Sequence, residues 1–456
     1  MILIYILLER HGTMNFKEMP IPEHRKEIYA FYGLAFDENG FPMKNIENGL
    51  TFHPILPPYL ITDYILMFEK TGDEMWLQYA EHIADSVIGR ADVLKNSKVF
   101  FYHPESGLSS VPKVFYSALT QSWYLKAFCL LSKYWSSKYN QFIKEIFNSF
   151  LIPIEEGGVL IVKKYGWIVE EYPFEPAFYT LNGWLTVLRW IVQSRKILDD
   201  IGIEYEQFIN KNLDAVEKLL PLYDAKFCLN SRYQLTGFSR IKVVFNKPIL
   251  HACVGASIEI PGEGVFECCI DGKKNKEKSR WEYYLERNEG RILQFNVVLS
   301  LISSPKPNVF NFIVDVDKDC SAKIFIAQGK YRPDSTGMPT ESWKEISEHN
   351  LSKGRNKIQS ETPFDGTDMF AYPTNFKKHI DGINYNGYHF VHIVDLGEIY
   401  QYSNRNIFKE YANKWLKYYE NWEELDCLKE GYSLTHYLYG NEFSDYVNKN
   451  FLNKSP

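Results

Sequence analysis

The chain is poor in the features that usually announce a compartment or a cofactor. Its 456 residues hold seven cysteines, at 129, 228, 253, 268, 269, 320 and 427. They form no Cys-x-x-Cys pair and give an odd total, which argues for free thiols and against both a disulfide framework and a zinc site. Long apolar runs are also missing. The opening MILIYILL is apolar but has no basic flank and no small-residue cleavage site, and a membrane span needs about 20 such residues. Neither a signal peptide nor a transmembrane segment is therefore expected, which points to a cytoplasmic protein. Met14 is an alternative start. Positive charge is not in excess: the formal net charge is -6, which gives no reason to expect nucleic acid. The basic run at 271–280, DGKKNKEKSR, reads as a solvated hairpin tip.

Aromatic residues, by contrast, are abundant. They make up 16% of the chain, with 32 Tyr, 31 Phe and 10 Trp, more than a core requires. Surplus Tyr and Trp commonly line sites where flat apolar rings meet sugar hydroxyls. Residues 1–50, punctuated by Gly33, Gly40, Pro42 and Gly49, read as irregular. Helical spacing follows at 59–70 and, from Asp73 as N-cap, through Met75, Trp76, Tyr79, Ile83 and Val87. It recurs at 114–134, 138–150, 177–196 and 205–220, with a hairpin at 157–169 and Pro221 as a stop. Near 235 the period becomes that of strands, and it returns to helix only after 400, at Ile407, Phe408, Tyr411, Trp415 and Tyr419. The expected fold is α+β and multidomain: an α/α toroid of helical hairpins built from 51–235 and 386–424. An antiparallel β-sandwich at 236–385 is inserted in it, and 425–456 form a tail.

One stretch, GWIVEEYPFEPAFYTLNGW at 166–184, organises the rest. Pro173 keeps Tyr172 out of helical geometry. Glu170, Glu171 and Tyr172 thus belong to an extended segment ahead of a helix that Pro176 is suited to open, with Phe178, Leu181, Trp184, Leu185 and Leu188 facing inward. On these residues alone, a solvated loop and a catalytic acid are equally good readings of Glu171.

Several motifs, taken together, resemble the catalytic region of the D-glucuronyl 5-epimerases. FHPILPPYLITDY at 52–64 is similar to that family's segment before its first helix, and FYSALTQSWYLKAF at 115–128 to its Trp-Tyr-Ser-Ala-x-x-Gln helix. The stretch at 167–184 resembles EEYP followed by LNG, LPLYD at 220–224 is identical, SRY at 231–233 stands for Leu-Arg-His, and YHFVHI at 388–393 resembles Tyr-His-x-x-His-Ile. The resemblance implies catalytic or substrate-binding roles for Glu171, Tyr172, Arg232 and Tyr388. It adds Tyr116, Gln121, Asn182, Tyr223 and His389 as substrate-binding candidates. It further implies a glucuronate-containing polysaccharide such as heparosan as substrate, iduronate as product, no cofactor or metal, and a possible homodimer. One departure is Leu229, where animal members have a tyrosine. Another is the β region between LPLYD and YHFVHI, which animal members place before the helical part.

The chemistry so implied needs a base on one face of the sugar, an acid on the other and a cation for the carboxylate. Glu171 and Tyr388 are the candidates for the two faces and Arg232 for the grip. As bare residues, His389 and His392 read as core histidines, since no third metal ligand stands at a recognised spacing. Three other readings remain open: a polysaccharide lyase working by β-elimination, a hydrolase using Glu171 with Glu175 or Asp224, and a non-catalytic glycan-binding protein.

Overall fold

The computed structural model describes residues 16–104, 114–171, 173–270, 288–328, 342–371, 373–374, 378–380, 383–385, 387–421 and 443–453. Tyr172 and the basic run at 271–280 lie outside the described residues. The chain groups into two compact units. One contains the residues up to Pro173 together with Thr186–Asn212, and the other contains Phe174–Leu185 with the residues from Leu213 onward. Helices and antiparallel sheets are mixed throughout.

In the first unit, α1 (Lys26–Phe31) precedes a three-stranded meander of β1 (Leu34–Phe36), β2 (Pro42–Ile46) and β3 (Gly49–Thr51). This segment was expected to be irregular. Its glycines are the turn residues of the meander: Gly33, Gly40 and Gly49 have φ of 66°, 76° and 123°, where side chains are disfavoured. Next come α2 (Leu56–Thr71) and α3 (Glu74–Ile88), joined as expected at Gly72 and Asp73, whose carboxylate accepts from the Met75 N–H at 3.0 Å. The hairpin of β4 (Asp92–Leu94) and β5 (Ser97–Val99) leads to α4 (Ala118–Leu131) and α5 (Asn140–Ser149). The hairpin expected at 157–169 is present as β6 (Leu160–Lys163) and β7 (Gly166–Val169).

Two helices follow, α6 (Leu181–Asp200) and α7 (Glu206–Leu219). The first starts five residues later than Pro176, because Tyr179 adopts φ 56° and breaks helical geometry. Pro221 does not end the helical path either. A 3-10 turn at Leu220–Tyr223 takes it up in its own first turn.

In the second unit, β8 (Asp224–Ala225) pairs with β9 (Asn230–Ser231). The strand region is then one antiparallel eight-stranded sheet: β10 (Thr236–Ile260), β11 (Gly264–Glu267), β12 (Cys269–Ile270), β13 (Asn288–Ser300), β14 (Asn308–Val316), β15 (Cys320–Gln328), β16 (Ser342–Leu351) and β17 (Gly354–Thr362). The 25-residue β10 is its spine. It pairs with β13 on both sides of a register shift between Val244 and Ile249, with β15 before the shift and with β14 and β11 beyond it. Pro248 falls at the shift, where a missing N–H is tolerated. The sheet curls around one core holding Ile241, Val243, Phe295, Phe310, Phe312 and Ile324. Strict alternation along β14 sends Phe310, Phe312 and Val314 inward, each contributing about 1.5–3 kcal/mol by burial. A short pair, β18 (Lys378–Ile380) with β19 (Ile383–Tyr385), precedes α8 (Gly387–Ser403) and α9 (Asn406–Glu420). Helix therefore resumes at 387 and not after 400. The segment expected as a tail contributes α10 (Phe443–Val447), with Phe443, Val447, Phe451 and Leu452 buried. Among the described residues, no helix is long and apolar enough to cross a membrane.

Candidate active site

Glu171 follows β7 in the first unit. The Glu170 N–H donates to the Val159 carbonyl at 2.8 Å, and the Glu170 carbonyl accepts from the Ala118 N–H at 3.4 Å, which ties this segment to the start of α4. Glu170 is 0% and Glu171 6% exposed, so the solvated-loop reading does not hold. Burying two adjacent carboxylates is costly unless their surroundings compensate. The Glu171 charge reaches two phenols. Burial raises the pKa of Tyr32 and of Tyr102, and the Glu171 carboxylate raises both further. Tyr102 is held by Thr120 Oγ1 at 2.7 Å. Between the two phenols lies His53, with ring centroids 6.2 Å from Tyr32 and 5.4 Å from Tyr102. Burial, with Lys44 nearby, pushes the His53 imidazole down to about 4, so it is neutral at pH 7. Its Nδ1 is buried without a protein hydrogen-bond partner among the described residues. An aromatic row continues from Tyr32 to Tyr59 at 6.3 Å, Trp123 at 4.6 Å and Trp190 at 5.0 Å.

Tyr116 and Gln121, also in this unit, are fully buried. The Tyr116 hydroxyl donates to the Ser149 carbonyl at 2.8 Å, and Gln121 Nε2 donates to the Lys98 carbonyl at 2.8 Å and to Ser149 Oγ at 3.0 Å. Through these bonds the two residues expected to contact substrate staple α4 to the end of α5 and to β5.

In the second unit, LPLYD, SRY and YHFVHI, far apart in sequence, meet. Arg232 N–H donates to the Tyr223 carbonyl at 2.7 Å, and the buried Tyr223 hydroxyl donates to the Tyr179 carbonyl at 2.7 Å. Asp224 anchors α9, accepting from Lys414 Nζ at 2.7 Å and Trp415 Nε1 at 3.1 Å. Ser231 sits between two histidines one helical turn apart on α8. Its Oγ lies 2.9 Å from His389 Nδ1 and 2.8 Å from His392 Nδ1, and its N–H donates to His389 Nδ1 at 3.2 Å. Nδ1 of His389 is thereby an acceptor. The ring proton belongs on Nε2, which donates to the Trp415 carbonyl at 3.0 Å. Burial pushes His389 down to about 4 and lowers His392 as well, so both are neutral core histidines, and the substrate contact expected of His389 gives way to this network.

Tyr388, one residue before this pair, is 40% exposed, and its ring meets Tyr233 edge-on at 4.9 Å. Asn182 is buried in the first turn of α6, its Oδ1 without a protein partner among the described residues. Arg232 is 2% exposed. Its Nη1 donates to the carbonyls of Asp368 at 2.6 Å and Ala371 at 2.5 Å, and its Nη2 to that of Gly366 at 3.2 Å. The guanidinium fork expected to grip a substrate carboxylate is thus engaged with the loop that follows β17. Leu229, where a tyrosine was looked for, takes φ 48° at the end of a 3-10 turn.

Tyr32, His53 and Tyr102, the aromatic surroundings of this acid, were not singled out by the sequence motifs. Only His53, inside the quoted FHPILPP segment, carried a motif signal. Among the described residues, no three His, Cys, Asp or Glu side chains stand close enough to hold a metal ion.

These placements give a buried acid in the first unit and, in the second, three matched motifs joined by hydrogen bonds. Residues 98–247, about a third of the chain, match the family model of the D-glucuronyl C5-epimerase C-terminus. The chain is also similar to an uncharacterized protein, MJ1128, of Methanocaldococcus jannaschii, at 29% identity over 133 residues, covering 28% of this chain and 42% of that protein's length.

Proposed function

We propose that this protein inverts carbon 5 of glucuronate units in a polysaccharide. The observation that carries the reading is Glu171: a carboxylate in the family's EEYP position, inside the matched region, and buried with its charge felt by Tyr102 and Tyr32 where a solvated loop was the alternative. In this mechanism the Glu171 carboxylate takes the proton from carbon 5, and the C–H electron pair moves into the C6 carboxylate to give an enediolate. The Tyr388 hydroxyl returns a proton to the opposite face. Tyr172 completes the acid-base set. Solvent then resets both groups. Asn182, with an unpartnered buried Oδ1, is assigned a sugar hydroxyl. The same reading takes the helical hairpins as an α/α toroid, the curled sheet as a sandwich inserted in it, heparosan as the polymer and iduronate as the product.

The test is incubation with heparosan in deuterated water. Deuterium at carbon 5 without chain cleavage is expected, and Glu171→Gln should remove it while leaving the melting temperature close to wild type. A new ultraviolet absorbance identifies a lyase, reducing ends alone a hydrolase, and binding without change a glycan-binding protein; each of these outcomes overturns the proposal.

A further inference from the structure

The proposed reaction needs a cation to hold the C6 carboxylate while charge builds on it, and Arg232 spends both terminal nitrogens on backbone carbonyls. A different arginine lies in the unit that carries Glu171. Arg25 Nε donates to Asp63 Oδ2 at 2.9 Å, and that same oxygen accepts from the Tyr29 hydroxyl at 2.6 Å. The carboxylate thus takes the Nε edge of the guanidinium, with the Tyr29 hydroxyl alongside. The two Nη groups have no carboxylate partner among the described residues, and the side chain is 22% exposed. The cation lies over two rings, 5.5 Å from the Tyr29 centroid and 5.9 Å from that of Tyr59.

From Arg25 the ring contacts lead to Tyr32 and Tyr102, the two phenols that feel the Glu171 charge. Tyr59 packs on Tyr32 at 6.3 Å, Tyr32 on His53 at 6.2 Å, and His53 on Tyr102 at 5.4 Å. Arg25 and Glu171 act in opposite directions on the Tyr32 phenol, the first lowering and the second raising its pKa. Tyr32 is therefore within electrostatic reach of both charges. Arg25 makes no ion pair with Glu171; its only carboxylate partner among the described residues is Asp63. A base is thus not quenched by the cation that serves the same substrate.

We infer that Arg25, pinned through Nε by Asp63, presents its Nη pair to the uronate carboxylate, with Tyr32 and Tyr59 as the apolar platform under the sugar ring. The inference rests on the proposed function and deepens it. Guanidinium geometry suits a bidentate grip on a carboxylate, and pre-positioning by Asp63 lowers the ordering cost of each substrate hydrogen bond. Tyr32 and Tyr59 are both half-buried, as a stacking surface requires.

The experiment is calorimetric binding of a heparosan oligosaccharide and of its carboxyl-reduced counterpart to the wild type, Arg25→Gln and Arg25→Lys, with C5 exchange measured alongside. Losing a charge-assisted bidentate contact predicts about a 10- to 100-fold weaker affinity of Arg25→Gln for the acidic oligosaccharide. Its affinity for the reduced one should stay at the wild-type value, and Arg25→Lys should fall between. A merely structural Arg25 would weaken both ligands together, which overturns the inference, as does an unchanged acidic affinity. If Arg25→Gln does not fold, Arg25→Lys carries the comparison, since it keeps charge but not the fork. A wild type that shows no C5 exchange removes the function; a wild type that exchanges, with unaltered Arg25 variants, removes this inference alone.

Discussion

Acidification should loosen the second unit through His389 before ordinary carboxylates titrate. His389 is wholly buried and bonded on both ring nitrogens as a neutral imidazole, and burial holds it at about 4 against an ordinary 6.5. Between those two values the unfolded chain binds a proton that the folded chain refuses. The folded-state pKa is depressed, so stability is complete above about pH 6.5 and is lost as pH falls toward 4. For one such group, proton linkage removes about 2 kcal/mol between pH 7 and pH 5. His392 changes in the same direction and shares the Ser231 hydroxyl. The assay is urea unfolding at pH 7, 6 and 5, reading hydrogen exchange of the α8 amides, for the wild type and His389→Gln. The amide side chain of the variant cannot titrate, so the difference between the two proteins cancels the contribution of the carboxylates. The expected result is a pH-dependent loss in the wild type that shrinks by about 2 kcal/mol in the variant, whatever the variant's stability at pH 7. Identical pH dependence in both would refute a neutral, buried His389.

Other consequences are open to direct measurement. Tyr116→Phe deletes the donor to the Ser149 carbonyl and should cost about 1–3 kcal/mol in chemical denaturation, the cost of an unsatisfied buried acceptor; a neutral change would show that the staple carries no stability. Arg232→Met withdraws donors from three carbonyls and should speed hydrogen exchange in residues 366–371 by tenfold or more, while exchange in β14 changes little. Gly237→Ala should disturb the same loop, because its Cβ would stand 1.8 Å from the Phe370 carbonyl oxygen; a crystal structure of the variant with Phe370 unmoved would contradict that packing.

The sequence was most legible where periodicity is strong. The α2–α3 hairpin, with its Gly72 and Asp73 signals, and the alternation of β14 follow from local rules alone. Glycine misled the reading of 1–50, because turn residues suggest irregularity where the strands between them are only three to five residues long. In α8, His389 and His392 mark one buried face, but polar residues at core positions hide an apolar period. The motif residues split in a way that spacing cannot reveal. Glu171 is buried with its charge felt by Tyr32 and Tyr102, whereas Tyr116, Gln121, Tyr223 and His389 spend polar atoms on the protein itself. Arg25 was invisible because its significance lies in Asp63, 38 residues away, and no local pattern joins them.

Ser231 and His389 are separated by 158 positions, and the whole curled sheet lies between them. During synthesis the partner of Ser231 leaves the ribosome only after every strand of that sheet, so the emerging chain carries Asp224 and Ser231 uncovered for as long as those strands take to make. A chain cut short before α8 would keep its strands but leave a polar surface exposed where the two histidines belong. Nonsense or frameshift lesions late in the reading frame should therefore act as assembly defects, yielding a product that chaperones hold and proteases recognise even though the sheet itself is complete.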